Sequence, residues 1–431
     1  MAACGRDIDS RISMSLRSVR SNPFVVLRRR VVPLMLVGLG TILLLAGCNS
    51  KKTVDLQMKT LFNLSLGKAE DQLDLLELPG VPATQKTRIF MRDGLFYIGN
   101  GNADKVMEFS SYGDILSLIY NPVTNPQPFL LQSNIQKDTI STKEAHAYPL
   151  RHVGEIAVTQ DKTLLIEDQV PVERQEFDKK LNAMLSSVVL RFRDDGTLID
   201  YIGQEGVGGT PFPYIERIQS NSHGEIEVIC RTDTEWLVFW FSHTGELMYK
   251  VEIGINSLPL PSIKGYVASL ETIFADPDKR LLYLKIDYYS QDKSGTIRGN
   301  VDFFKSSVYW LDVDTQKYEG HVDLPRQVVE ESSDGLLGSK KVEVLYELLG
   351  VAHGGYMFFL SPLQNNYYEL LVLGTSGSVV RRSRILLDDK EIAFRTFYLD
   401  PSGVLTALLA RNFGASVVWW RSDKLIEGLP K

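Results

Sequence analysis

The chain has 431 residues, a formal net charge of −6 and a sequence that is 44% hydrophobic and 10% aromatic. That length and apolar content supply a substantial core, larger than a simple single-core domain usually needs. The acidic balance lacks the concentrated basic surface that nucleic-acid binding requires, which excludes a nucleic-acid partner.

The first element is a leader. Arg28-Arg29-Arg30 precede an apolar run from Val31 to Leu45, and small residues follow, the order of a secretory signal. Leu44-Leu45-Ala46-Gly47-Cys48 resembles a bacterial lipobox. The resemblance implies signal recognition through Leu45, Ala46 and Gly47, removal of residues 1–47, a diacylglyceryl thioether on Cys48, and acylation of the new amino terminus by a chain such as palmitate. An uncleaved anchor fits less well. Only 15 residues lie between Arg30 and Ala46, with Pro33 among them, whereas about 20 are needed to span the hydrocarbon core. One acyl chain binds membranes marginally, so durable attachment needs more than one. Met14 is an alternative start.

The leader contains seven Arg and two Asp, a net of +5, so the remainder from Cys48 carries −11. With Cys4 in the leader and Cys48 acylated, Cys230 is the one ordinary thiol, and no internal disulfide is expected. Cys230 ends the strand-like run Glu225-Ile226-Glu227-Val228-Ile229 and is expected to be structural. Residues 48–57 read as a lipidated tether, and 58–431 as one β-propeller domain with a closure strand near 58–66.

After the tether, apolar and polar residues alternate in short runs broken by Gly, Asp, Asn and Ser, the pattern of antiparallel strands. The clearest unit runs Arg88 to Tyr120, four strands and three turns. It recurs at Gly154–Gly203, Ile215–Ile253, Tyr266–Leu324, Tyr346–Leu387 and Ala393–Leu429. The third strand and its turn repeat most plainly, as in Val189–Gly196, Leu237–Gly245 and Val308–Asp314. A period of about 40 to 50 residues marks propeller blades. The fold class is therefore all-β, a six-bladed propeller of four-stranded antiparallel sheets. Ala69–Leu78 leaves room for a seventh blade. Met58–Leu66 is expected to supply the outer strand of the blade ending near Leu429, closing the ring.

Several segments depart from the repeat. Pro122–Tyr148 and Val170–Ser187 are expected to cover one end of the propeller. Phe177, Leu181, Met184 and Leu185 have the spacing of one helix face, which predicts a short helix over Glu176–Leu185. Asp287–Asp302 reads as exposed, and Asp314–Lys341 as a turn-rich excursion.

The run Gly203 to Phe212, with Gly224–Val228, Val238–Phe241 and Gly245 after it, resembles NHL-type propeller repeats. The leader, Tyr97-Ile98-Gly99-Asn100 and the six-repeat layout resemble a family of spirochaete (treponemal) lipoproteins with an NHL-like domain. These likenesses imply the propeller fold and an envelope location more than any activity, and the ubiquitin or RNA roles of some NHL proteins do not carry over.

Catalytic signatures are sparse. Gly206-Val207-Gly208-Gly209 lacks the Lys-Ser/Thr ending of a phosphate loop, and His146, His152, His223, His243, His321 and His353 form no close metal-ligand spacing. No metal site or cofactor is expected. Asp194-Asp195, Asp276-Pro277-Asp278, Asp312-Val313-Asp314 and Asp388-Asp389 sit at strand ends, where turn hydrogen bonding explains them. Trp240, Trp310 and Trp420 occupy matching third-strand positions, which predicts a repeated core role. The functional reading is a noncatalytic binding or assembly scaffold of the cell envelope, lipid-anchored to the inner or outer membrane with its domain in the periplasm and an envelope protein as partner. The alternatives are an envelope enzyme acting on carbohydrate or another periplasmic substrate, with glycan as ligand, and a structural envelope lipoprotein.

Overall fold

The structure is a computed structural model that describes residues 53–75, 85–131, 143–262, 265–291, 301–331, 340–377, 380–388 and 390–429. Among these, six four-stranded antiparallel sheets follow one another along the chain, the six blades of a propeller, with Glu144–Ala147 added in parallel to the edge of blade 1 and Val54–Asp55, from the expected tether, to that of blade 5. Blade 1 is built from Thr87–Arg92, Leu95–Asn100, Lys105–Phe109 and Ile115–Tyr120, and blade 3 from Ile215–Ser220, Ile226–Arg231, Glu235–Phe241 and Leu247–Gly254. Blades 2, 4 and 5 repeat this order, beginning at Ile156–Val158, Tyr266–Ala275 and Glu347–Ala352. Blade 6 takes Phe394–Leu399, Leu405–Arg411 and Gly414–Trp420 from the end of the chain. Its outer strand is Lys59–Leu64, antiparallel to Gly414–Trp420 with Thr60 opposite Val418 and Leu64 opposite Ala415. The residues of Ala69–Leu78 that are described form a turn and a bridge rather than a seventh sheet.

The repeated third strand has a physical basis. Blades 1 to 4 each carry a register shift just before the third-to-fourth turn, at Glu108/Phe109, Arg191/Phe192, Trp240/Phe241 and Trp310/Leu311. The extra residue lies in the facing fourth strand, at Leu116, Ile199, Met248 and Glu319, where it bends that strand and increases its twist, as the outer edge of a blade requires.

The core lies between blades. Trp236 and Trp240 of blade 3 pack with Ile273 and Leu284 of blade 4. Phe62 and Val417 of blade 6 pack with Phe96 and Phe109 of blade 1. Such sheets cannot hide both faces alone, and each buried Phe or Leu contributes about 1.5–3 kcal/mol when its neighbour covers it. Trp240 and Trp420 are fully buried, as the repeat predicts. Trp310 is half-buried and lies against Gly320, where a Cβ would come within 2.4 Å of its indole.

Three expectations are corrected. Glu176–Leu185 is a hairpin, not a helix: Glu176–Asp178 pairs with Ala183–Leu185, placing Phe177 opposite Met184. The Asp178 carboxylate accepts the Lys180 and Leu181 N–H groups, and Asn182 adopts φ 49°, so the chain reverses where a helix would continue. Asp287 lies inside the strand Leu281–Gln291 and is buried in an ion pair with Lys285 at 2.7 Å. Asp314–Lys341 contains the outer strand Lys317–Asp323 of blade 4 and half of a second hairpin, Gln327–Glu331 with Lys340–Val344.

Candidate functional site

The first strands of all six blades surround a central channel of about 320 Å³. Near the start of five of these strands stands a charged residue: Arg88, Glu155, Arg217, Glu347 and Arg395. The repeat puts them there, because the innermost strand has no neighbour to cover the channel side and polar groups are tolerated only where water or a partner charge reaches them.

Blades 1 and 2 close their share of this ring with ion pairs. Arg88 Nε donates to Glu155 at 2.7 Å, and Lys86 Nζ lies 2.9 Å from Glu167 and 3.5 Å from Glu155. Lys86 also stands over the Tyr214 ring at 4.3 Å. Burial pulls the Lys86 ammonium down, but Glu167 and Glu155 outweigh it and hold the group above its ordinary value. In blades 6 and 5, Arg395 donates to the Tyr368 hydroxyl at 2.9 Å, and burial pushes the Glu347 carboxyl up.

Blades 3 and 4 differ. Their innermost strands touch least of any neighbouring pair, and a hydrogen bond from the Ala275 N–H to Gln219 Oε1 at 2.9 Å spans the gap. Arg217 stacks over the Phe274 ring at 3.8 Å, and among the described residues its guanidinium has no hydrogen bond or ion pair, leaving a buried Nε unmatched. Burial pulls this guanidinium below its ordinary value. Glu227, opposite Gln219 in the register, is fully buried with both carboxyl oxygens unmatched. Burial, with Glu225 adding repulsion, pushes its pKa well above the ordinary value, which favours the protonated form.

The two ends of the channel are built differently. At one end lie the first-to-second turns, fastened to one another: Ser222 N–H donates to Pro277 O, His353 N–H donates to Pro401 O, and His353 Nδ1 lies 2.8 Å from the Asp278 carboxylate. Asp276 accepts the Asp278 and Lys279 N–H groups, Asp195 that of Thr197 and Asp312 that of Thr315, so these acids serve turns as the strand-end pattern predicts. At the other end emerge the second-to-third and blade-to-blade connections, which include every long excursion. The segment after blade 1 exposes Phe129 at 80%, the hairpin in blade 2 exposes Phe177 and Met184, the hairpin between blades 4 and 5 exposes Val328, and the blade 6 loop exposes Phe413 at 97%. Phe129 is held in place: Glu70 accepts its N–H at 2.9 Å and that of Leu130, and buried Lys105 donates to the Ala69 carbonyl at 2.6 Å. Burial lowers the Lys105 ammonium to about 8.

Leu45, Ala46, Gly47 and Cys48 lie outside the described residues. Cys230 is a buried free thiol beneath blade 2, and burial pushes it well up. Gly203 and Gly206 form the tight blade-to-blade turn, since a Cβ on Gly203 would lie 2.4 Å from the Gly209 backbone, and the turn delivers Phe212 between Phe239 and Phe241. Among the described residues no three His, Cys, Asp or Glu side chains group as metal ligands, and no helix is long and apolar enough to cross a membrane. Arg217, Glu227 and Glu347 escape motif reading. For Arg217 and Glu347 the signal is the charged position recurring near the start of the first strand, visible only once the blades are aligned; Glu227, in the second strand Ile226–Arg231, has none.

The architecture is that of a six-bladed β-propeller with a charged channel and one elaborated end. No protein-family model matches the chain, and no curated protein matches it. Similar solved structures include the β-propeller domain of Nup133 from Vanderwaltozyma polyspora, 9% identical over 79% of this chain and 84% of that one, with a TM-score of 0.37. The calcium-binding protein regucalcin from Agrobacterium tumefaciens is 11% identical over 86% and 96%, with a TM-score of 0.35. A PL25 ulvan lyase is 10% identical over 82% and 84%, with a TM-score of 0.36. These likenesses concern the fold alone, and the six-blade assignment rests on the strand pairing.

Proposed function

We propose that the chain is a membrane-anchored binding or assembly module of the cell envelope, noncatalytic, held to the membrane through acylated Cys48 in the manner of the spirochaete lipoproteins it resembles, and recruiting an envelope protein. The observation that supports this is the asymmetry of the propeller. Exposed apolar side chains on separate, ordered excursions all lie at the end away from the fastened turns, and apolar surface gathered on one end of a fold is the kind that partners cover. A lipid tether confines that end to a membrane surface and raises the effective concentration of any partner there.

Two measurements test the reading. Intact mass and membrane fractionation of wild type and Cys48→Ala examine the tether: loss of the acyl mass and release from membranes is expected, and unchanged mass and retention would refute it. Affinity capture from envelope extracts then compares a Phe129→Ser, Phe177→Ser, Phe413→Ser variant with Tyr112→Ser, whose exposed ring lies at the opposite end. The triple variant is expected to lose the captured partner while Tyr112→Ser keeps it. Equal capture by both would count against recruitment at this end.

A further inference from the structure

The slot between blades 3 and 4 does not take part in recruitment at the loop end, yet it carries the least satisfied polar groups around the channel. Its blade 3 wall presents Arg217, Gln219 and Glu227, and its blade 4 wall presents Phe274, Ala275 and Asp276. Residues opposite one another in an antiparallel pair project to the same side, so Glu227, opposite Gln219, faces blade 4 together with Arg217 two positions earlier. Unmatched buried polar groups each forfeit a hydrogen bond's worth of desolvation and are rare in folded chains. Two of them on one wall of one cavity are explained by a ligand that supplies what the protein withholds.

The chemistry of that ligand follows from the two groups. Arg217 stacks its flat face on Phe274, which leaves the N–H edge of the guanidinium for a planar anion, the geometry that suits a carboxylate. Glu227, fully buried with no cation beside its oxygens, is favoured as the neutral carboxyl, whose O–H offers a donor to an oxygen acceptor. Arg217 and Glu227 are diagonal neighbours on adjacent strands, which separates the positions by about 7–8 Å, the span of a four- to six-atom chain. Glu155, Glu216 and Glu347 act on Arg217 electrostatically and weigh against multiply charged anions.

We propose that this slot binds a slender organic acid, its carboxylate seated on the Arg217 guanidinium and a second oxygen on the same molecule accepting a hydrogen bond from the Glu227 carboxyl. The inference is independent of the recruitment reading, and each can fail alone. A sugar acid and the carboxyl end of a short peptide share this chemistry.

The test is calorimetric titration of the full-length, detergent-solubilised protein with glucuronate and glucose in one arm, and with N-acetyl-diglycine and its C-terminal amide in the other. One acid is expected to bind more tightly than about 10 mM, with its uncharged counterpart at least about tenfold weaker. Arg217→Gln should weaken the acid by about tenfold or more while leaving the counterpart unchanged, Arg217→Lys should keep part of the affinity, and Glu227→Leu should lose more than Glu227→Gln. The arm that binds names the source. Equal binding of acid and counterpart, full affinity in a folded Arg217→Gln, or no binding of either acid would overturn the proposal. If Arg217→Gln does not fold, the acid-against-counterpart comparison in wild type and Arg217→Lys still decides it.

Discussion

The Ser416 hydroxyl donates to Asn63 Oδ1 at 2.7 Å, joining positions 353 residues apart in the chain. The bond belongs to the strand pair in which the start of the domain completes the last blade. Exposed side-chain bonds contribute little, so the closure is held by the ladder and by Phe62 beneath it, whose ring meets Phe96 and Phe109 at 5.8 and 5.4 Å. Phe62→Ala should destabilise the domain by about 3–5 kcal/mol, and Asn63→Ala by less than about 1 kcal/mol, in urea melts. Similar losses would show that the ladder alone closes the ring.

Trp240 donates its indole N–H to Glu225 at 2.8 Å, and Glu225 also takes Arg280 at 2.6 Å and Asn221 at 2.8 Å. Trp240→Ala therefore removes a fully buried ring and one leg of a network, at a cost of about 3–5 kcal/mol. Trp240→Phe should cost less, because Arg280 and Asn221 still satisfy the carboxylate. A melt unchanged in Trp240→Ala would place the ring outside the core.

Blade positions were legible because short extended runs, many buried along their whole length, alternate with turns that need Gly, Asp or Asn, so the period survives in one sequence. The hairpin at Glu176–Leu185 was not. Phe177, Leu181, Met184 and Leu185 satisfy a helical spacing and a two-stranded one alike, and the decision falls to Asp178 and Asn182, which favour chain reversal. The charged channel was legible only in part. Arg88 and Glu155 look like ordinary strand-edge charges in sequence, and only the radial arrangement brings them within 2.7 Å. Glu227 between Ile226 and Val228 carries no mark of its burial.

Glu227 makes stability pH-dependent with a definite sign. Its pKa in the folded chain is raised by burial, with Glu225 adding repulsion, so the folded state keeps a proton that the unfolded chain releases near pH 4.3. The stability this group confers is complete below that pH and is lost as pH rises toward the folded value. Glu227→Gln should melt with wild type at pH 4 and above wild type at pH 8. Parallel curves at both pH values would mean the carboxyl ionises in the fold without penalty.

Cys230 is fully buried, and its thiolate is disfavoured by burial and by Glu167. A maleimide should leave a native Cys4→Ala, Cys48→Ala protein unmodified and label it once, at Cys230, after denaturation. Rapid native labelling would show that the interface between blades 2 and 3 opens.

The central claim is that the elaborated end of the propeller engages an envelope protein while Cys48 keeps it at the membrane. Cross-linking mass spectrometry on intact cells, with Cys48→Ala as the control, measures both halves at once. The account predicts reproducible links from lysines of the loop end, such as Lys68 and Lys179, to one envelope protein, present in wild type and lost in Cys48→Ala. Links that come instead from the turn-end lysines Lys162 and Lys279, or that persist unchanged without Cys48, would contradict it.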